Sequence, residues 1–275
     1  MSELLAVVTA HAVRSALAAG AIRRVAKGVY ALPEAPAALT AARSQGGVVS
    51  HLSAAQYWRM SVIVVPPLPH VTLPPRRARR QAGLPCVLHW AEVPAIDDVT
   101  TPVRTVLDCA RTLPFNEALA VTDSALHLRL VDRDELDDAA ARLMGPHRRR
   151  IRRVVELADQ RAESVLESAL RAILIEAGIE GFEPQVGVQN AAFSARLDLG
   201  HRRRRIGLEA DGFQFHGSRT ALVKDCRRQI NLTLCGWLVL RFSWEDVMYD
   251  PEWVTEAVQA AYRRPPLINR LVSAA

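Results

Sequence analysis

Apolar and polar positions alternate along this chain with two different periods, and the switch between them marks its parts. Helical spacing, with apolar residues three and four apart, runs over 9–19, 38–45, 53–60, 105–111, 116–127 and 132–143. Thr9 stands as the N-cap of the first of these and Gly20 ends it, while Asp132 stands as the cap of the last. Short strand patterns over 62–65, 70–73 and 87–90 are interrupted by Pro66-Pro67 and Pro74-Pro75, which cannot donate to a ladder. The second half is more regular. A helix over 162–177 stops at Gly178, a strand over 184–188 leads to another over 192–198, and after a turn at 202–205 comes a strand over 206–211. A helix around 224–232, a strand over 237–242 and a helix over 252–262 complete the order α-β-β-β-α-β-α, an α/β core.

Four regions follow: 1–35, 36–145 as an α+β middle region, 146–158 as a basic linker, and 159–265. In the first, the helix is followed by a basic two-stranded pattern over 21–32 that turns at Lys27-Gly28. Helix then hairpin is how a winged helix-turn-helix meets DNA, with Arg23, Arg24 and Lys27 near phosphates. Small helix-hairpin units also serve as docking modules. In the middle region, His51 opens a helix after a polar turn and reads as a capping or packing residue, and Arg76 to Arg80 is a basic loop able to touch phosphate but better explained by solvation. The linker begins with a helix stop at Gly145-Pro146 and carries five arginines in 148–153.

The chemistry concentrates at Asp198, Glu209 and Asp211. A hairpin between the two strands sets the first two carboxylates on neighbouring strands, and the period of two sends Glu209 and Asp211 to one face. Two carboxylates about 4 Å apart repel by about 4 kcal/mol at an effective dielectric near 20, so such a cluster calls for a proton or a divalent cation. A hard, oxygen-seeking ion such as Mg2+, or Mn2+, suits these donors. Two solvated acids before a turn at Asp211-Gly212 is the plainer alternative.

Composition narrows the setting. The 275 residues are 49% hydrophobic and 23% charged, enough for a sizeable core and more than one domain. Net charge is +6, which favours a polyanionic partner, nucleic acid first, although nearly all of the cations are arginines in an alanine-rich chain, with Lys27 and Lys224 the two lysines. Cys86, Cys109, Cys226 and Cys235 form no CxxC pair and no disulfide-scaffold density, as in a reducing cytoplasm. No apolar run approaches the roughly 20 residues that span a bilayer, and Glu3 stands where a signal peptide carries cations, so the expectation is a cytoplasmic protein away from membranes.

Two resemblances add to this. Gly28-Val-Tyr30, Val49-Ser-His-Leu-Ser-Ala-Ala55, Val71-Thr-Leu-Pro74 and Thr101-Pro-Val-Arg-Thr-Val-Leu-Asp108 resemble the N-terminal region of proteins with an abortive-infection type IV antitoxin-like (AbiEi-like) domain. That implies a winged helix-turn-helix followed by a small α+β unit, with DNA binding by the winged part. Glu163-Ser-x-x-Glu167-x-x-Leu-Arg171, Asp198, Glu209-x-Asp-Gly212, His216, Asp225-x-x-Arg228 and Leu234-x-Gly-Trp-x-Val-x-Arg-Phe242 resemble the PD-(D/E)XK nuclease superfamily, and more closely its domain family related to very short patch repair endonucleases. The resemblance implies a restriction-endonuclease-like fold, Asp198 and Glu209 as metal-binding acids, Glu167 as a supporting acid and His216 as a proton-transfer or water-positioning group. The superfamily pattern carries lysine two residues after its glutamate, where this chain has Asp211. Glu163, Asp225 and Arg228 read as supporting residues, and Arg202, Arg203, Arg204 and Arg205 as a basic turn able to hold a DNA backbone or simply to solvate the hairpin tip. The function so implied is a metal-dependent DNA endonuclease placed on DNA by its N-terminal module. A catalytically inactive DNA-binding regulator or antitoxin-like protein is the alternative, and a toxin or a DNA-repair or defence protein is the class of partner to expect.

Overall fold

In the computed structural model, residues 8–81, 83–212 and 219–264 are described, and the chain sorts into two units, Met1–Thr112 with Leu130–Arg152 and Leu113–Arg129 with Arg153–Ala275. In the first unit, helix α1 (Ala10–Ala18) begins where Thr9 Oγ1 accepts the Ala12 N–H at 3.2 Å. Strands β1 (Arg23–Ala26) and β2 (Val29–Ala31) pair antiparallel, and the register slips between Arg24 and Ala26. That bulge buries both Val25 and Ala26 and leaves Arg23, Arg24 and Lys27 exposed. Of the expected winged helix-turn-helix, the described N-terminal residues thus contain one helix and a hairpin.

Helix α2 (Ala37–Gln45) ends at Gly46 in the left-handed region. There follow β3 (Val48–Val49), α3 (His51–Tyr57), β4 (His70–Leu73), β5 (Val87–Trp90), β6 (Ala95–Ile96), β7 (Val99–Thr100) and α4 (Pro102–Thr112). The strands form a five-stranded sheet in the order β5-β4-β3-β7-β6, around a core of Ala41, Ala42, Val49, Ala54, Val71, Leu73 and Val99. The strand expected over 62–65 is absent: Val64 and Val65 are exposed, and the prolines that follow supply no ladder donors. Three strands that the periodicity did not reveal, β3, β6 and β7, are two residues long, too short to show alternation.

Helix α5 (Phe115–His127), placed in the middle region by its sequence position, packs with the second unit, and α6 (Arg133–Ala141) returns to the first. Asp132 precedes α6 but its side chain makes no capping hydrogen bond. The arginine-rich stretch expected as a linker is instead mostly helix, α7 (Arg148–Leu157). Ile151, Val154 and Val155 recur at helical spacing and are buried. Arg152 donates to the carbonyls of Ala140, Ala141 and Leu143 at the C-terminal end of α6, at 3.1, 2.6 and 3.3 Å, and so satisfies acceptors that a helix end leaves open.

The second unit continues with α8 (Val165–Glu176), N-capped by Ser164, then β8 (Glu183–Asn190), β9 (Phe193–His201), β10 (Ile206–Asp211), α9 (Arg219–Leu234), β11 (Leu238–Ser243), α10 (Trp244–Tyr249) and α11 (Pro251–Arg263). Sheet order is β11-β10-β9-β8; β8, β9 and β10 run antiparallel, and β11 joins β10 in parallel after the α9 crossover. Val186, Val188 and Leu197 pack with Leu232 of α9 and with Trp237. Deeper in the unit, Asp123 of α5 accepts from Arg171 of α8 on both oxygens at 2.7 Å, from Ser168 at 2.8 Å and from the Asp159 N–H at 2.8 Å, so both oxygens of a buried carboxylate are hydrogen-bonded, while Arg171 Nε makes no hydrogen bond. Among the described residues, no helix is long and apolar enough to cross a membrane.

Candidate active site

The β9–β10 ladder pairs Ile206 with His201, Gly207 with Gly200 and Leu208 with Leu199. Where that pairing ends, Asp198 takes over with its side chain: Oδ2 accepts the Ala210 N–H at 2.9 Å. The carboxyl is therefore held against the backbone that follows Glu209. Glu209 is itself buried. A third acid enters from the first turn of α8, where Glu167 is buried and its Oε2 accepts from Gln185 Nε2 at 2.6 Å and from the Glu163 N–H at 3.1 Å. Burial pushes the Asp198 carboxyl up from 3.8 to about 6; the Ala210 hydrogen bond opposes this, and the negative charges of Glu167 and Glu209 add to it. The three acids thus act on one another through a shared field.

Two arginines face them. Arg241 of β11 lies in register with Glu209 and grips Asp211 through Nε at 2.8 Å and Nη2 at 3.1 Å. Its Nη1 donates to Asp225 of α9 at 2.5 Å, and its Nε lies 3.8 Å from Glu209 Oε2. The hydrogen bond to Asp211 is the largest cause of a guanidinium held above its usual range, followed by burial, which opposes it, and the bond to Asp225. Arg228 of α9 brings Nη2 within 2.5 Å of Glu209 Oε1, yet the hydrogen bond from that nitrogen goes to the Arg196 carbonyl at 2.8 Å. Glu209 Oε1 is buried and accepts no aligned hydrogen bond. Arg228 thus meets Glu209 as a close ion pair, from a side chain 30% exposed.

Residues 166–261 match the family model REase_MTES_1575, which is restriction endonuclease-like. That match supports a nuclease-like domain in the C-terminal part of the chain, and it takes in Glu167, Asp198, Glu209, Asp211, Asp225, Arg228 and Arg241. Two Mycobacterium tuberculosis proteins, "Uncharacterized protein MT2308" of strain CDC 1551 / Oshkosh and "Uncharacterized protein Rv2248" of strain ATCC 25618 / H37Rv, are each 30% identical to this chain over 156 residues. The similarity covers 55% of this chain and 57% of each relative, so the chain spans little more than half the length of the curated relatives it matches.

Within the matched residues the donors suit a hard divalent ion. Asp198 and Glu209 offer carboxylate oxygens, one of them a buried oxygen without a hydrogen bond, and Mg2+ takes one or two carboxylates while keeping waters or phosphates for its other positions. Among the described residues no three acids bring their oxygens within 4.8 Å of one another, so Glu167 stands beside the pair, with Gln185 and the Glu163 N–H as its partners.

The other sequence candidates divide. His216 lies outside the described residues. Glu163 pairs with Arg196 at 2.6 Å. At the hairpin tip, Arg204 lies over the Tyr262 ring with 3.8 Å to its centroid and donates to the Tyr262 carbonyl, and Arg205 donates to the Cys235 carbonyl at 3.0 Å. Arg202 is 3.8 Å from Glu183, and Arg203 is exposed. Arg23, Arg24 and Lys27 belong to the first unit. Sequence reasoning missed the roles of Gln185 and Arg241. The signal for Arg241 was a cation inside the otherwise apolar run Leu238-Val-Leu-Arg-Phe242. Gln185 gave none: it takes a left-handed backbone, φ 56, with no glycine to mark it.

Proposed function

We propose that the protein is a divalent-metal-dependent DNA endonuclease. The observation that carries this reading is the Asp198 carboxyl, pinned against the backbone after Glu209 and made to hold its proton more tightly by burial and by the charges of Glu167 and Glu209. Arg228, 2.5 Å from Glu209, is the cation that a bound metal would share the site with or displace. Asp198 and Glu209 would hold Mg2+ or Mn2+, which when bound polarises a phosphodiester and lowers the pKa of water.

The chain's own groups do the rest. Asp198 binds in its ionised form, so it serves best above pH about 6. Glu167, fixed by Gln185, keeps the local field negative and favours a cation over a proton-sharing acid pair. Arg241 supplies, from the neighbouring strand, the positive charge that the superfamily takes from the lysine at the position of Asp211, and Arg228 is near enough to the surface to turn from Glu209 towards a phosphate. His216, outside the described residues, takes the proton-transfer or water-positioning role that the resemblance implies. Arg202 and Arg203 at the hairpin tip, with Arg23, Arg24 and Lys27 of the N-terminal hairpin, attract the DNA backbone.

A second reading rests on the same arginines. If Arg228 stays on Glu209 and Arg241 on Asp211, the acids are neutralised from within and the protein is an inactive DNA-binding regulator or antitoxin-like protein. Plasmid cleavage with Mg2+ or Mn2+ separates the two, run beside Asp198→Ala and Glu209→Ala. The endonuclease reading requires nicking by the wild type that both substitutions abolish. Gel shifts without cleavage support the regulator, and cleavage surviving in both variants removes these acids from the mechanism.

A further inference from the structure

The first unit holds a second polar cluster, of different chemistry. His51 opens α3 directly after β3, His70 opens β4, and His89 lies in β5, where the parallel register sets it beside Thr72. The Ser50 N–H donates to the His70 carbonyl at 3.0 Å and ties the first two together. One ring nitrogen from each histidine lies within 4.8 Å of the other two. His70 Nδ1 and His89 Nε2 are 3.1 Å apart, and the rings of His51 and His89 stack with centroids 3.6 Å apart. His51 is buried, the other two partly so.

Three features of this cluster suit ligation. Burial first, then the neighbouring imidazoles and the Arg104 and Arg111 charges, lowers His51 to about 2; burial and His70 lower His89 to about 4, and burial lowers His70, so the rings favour the neutral form that donates a lone pair to a metal. Ser50 Oγ already accepts the Thr72 hydroxyl at 2.8 Å and lies 2.9 Å from His51 Nδ1. An Nδ1–H donated there leaves the lone pair on Nε2, the arrangement by which an outer partner orients a ligating imidazole. Finally, a tetrahedral ion with nitrogens at about 2.0–2.1 Å spaces them by about 3.4 Å, close to the His70–His89 separation; binding would rotate the stacked His51 and His89 rings out of their 18° parallel arrangement, so that their in-plane lone pairs converge on the ion. Of the nearby cations, Arg104 is paired with Asp108 at 2.9 Å, and Arg111 stands further along α4.

We propose that His51, His70 and His89 form a binding site for a divalent transition-metal ion of the zinc class, with Ser50 orienting His51 and a fourth position left for water. Imidazole nitrogens select such ions, whereas the carboxylates of the second unit select Mg2+ or Mn2+.

Full-length protein stripped with a chelator is titrated with Co2+, read by its visible absorption, and with Zn2+ in competition. The wild type and the Asp198→Ala/Glu209→Ala double variant are expected to bind one Co2+ per chain with the intense band of a four-coordinate site. His70→Asn and His89→Asn are expected to lose it, and Ser50→Ala to weaken binding by about 10- to 100-fold. Absence of the band in the wild type, its persistence in both histidine variants, or its loss in the acid variant with the histidines intact overturns the proposal. If the histidine variants do not fold, modification of wild-type histidines by diethyl pyrocarbonate decides at the two partly exposed ones: Zn2+ protects His70 and His89 if they bind it, and reactivity of these two unchanged by Zn2+ overturns the proposal.

Discussion

Asp198→Asn is expected to stabilise the protein at neutral pH while removing metal-dependent cleavage. The native carboxyl titrates at about 6, against 3.8 for a free one. Below pH 3.8 it is protonated in both folded and unfolded chains. As pH rises from there to about 6 the unfolded chain ionises first, native stability falls, and above pH 6 the loss is constant. At 1.36 kcal/mol for each pH unit the loss is about 3 kcal/mol, and the carboxyl's partial contact with water brings the expected value to about 2 kcal/mol. Asparagine has no proton to exchange and keeps an oxygen for the Ala210 N–H, so the variant escapes the loss. Urea unfolding at pH 4 and pH 7.5 reads the effect as a difference of differences: the variant should gain on the wild type by about 2 kcal/mol between the two conditions. Mg2+ should then restore the wild type at pH 7.5 and leave the variant unchanged. An equal response of both proteins to pH would refute the claim that burial and neighbouring acids hold the proton on Asp198.

Three further outcomes follow from the same structure. Arg228→Ala leaves Glu209 buried with a more distant cation, and in chelator it should cost about 3–5 kcal/mol; Mg2+ should recover much of that in urea unfolding, and no recovery would count against Glu209 as a ligand. Asp123→Ala strands the buried Arg171 and should cost about 3–5 kcal/mol, whereas Asp123→Leu with Arg171→Met should cost far less, since an apolar pair replaces an ionic one at similar volume. Replacing Arg23, Arg24 and Lys27 by alanine should lower the slope of log affinity for duplex DNA against log salt by up to about 0.9 for each phosphate that the hairpin no longer neutralises, measured by fluorescence anisotropy; an unchanged slope would remove this hairpin from the DNA surface.

The second unit is the more legible half because its elements are long and its periods clean. The alternation over 206–211 coincides with the observed strand, and the α-β-β-β-α-β-α order is that of the structure apart from the six-residue α10, whose length conceals its period. Asp198 and Glu209 are visible because a carboxylate inside an apolar alternation is conspicuous. Their counter-charges are not, since whether Arg228 or Arg241 meets Glu209 depends on the parallel register of β11 and on how α9 crosses. The three histidines are invisible for a similar reason. Nothing local links positions 51, 70 and 89, and only sheet pairing assembles them. The arginine run of α7 misleads because its charge outweighs the three apolar residues that fix it as a helix.

The placement of α5 has a practical consequence for anyone cutting this protein into pieces. A truncation starting near residue 146, the natural choice from sequence, would discard Asp123 and leave the guanidinium of Arg171 sealed inside the fragment with no carboxylate to answer it. Insolubility of such a fragment would then report the missing segment rather than the character of the nuclease-like fold. An expression design for the second unit has to retain 113–129, by fusion or permutation, before its activity in isolation means anything.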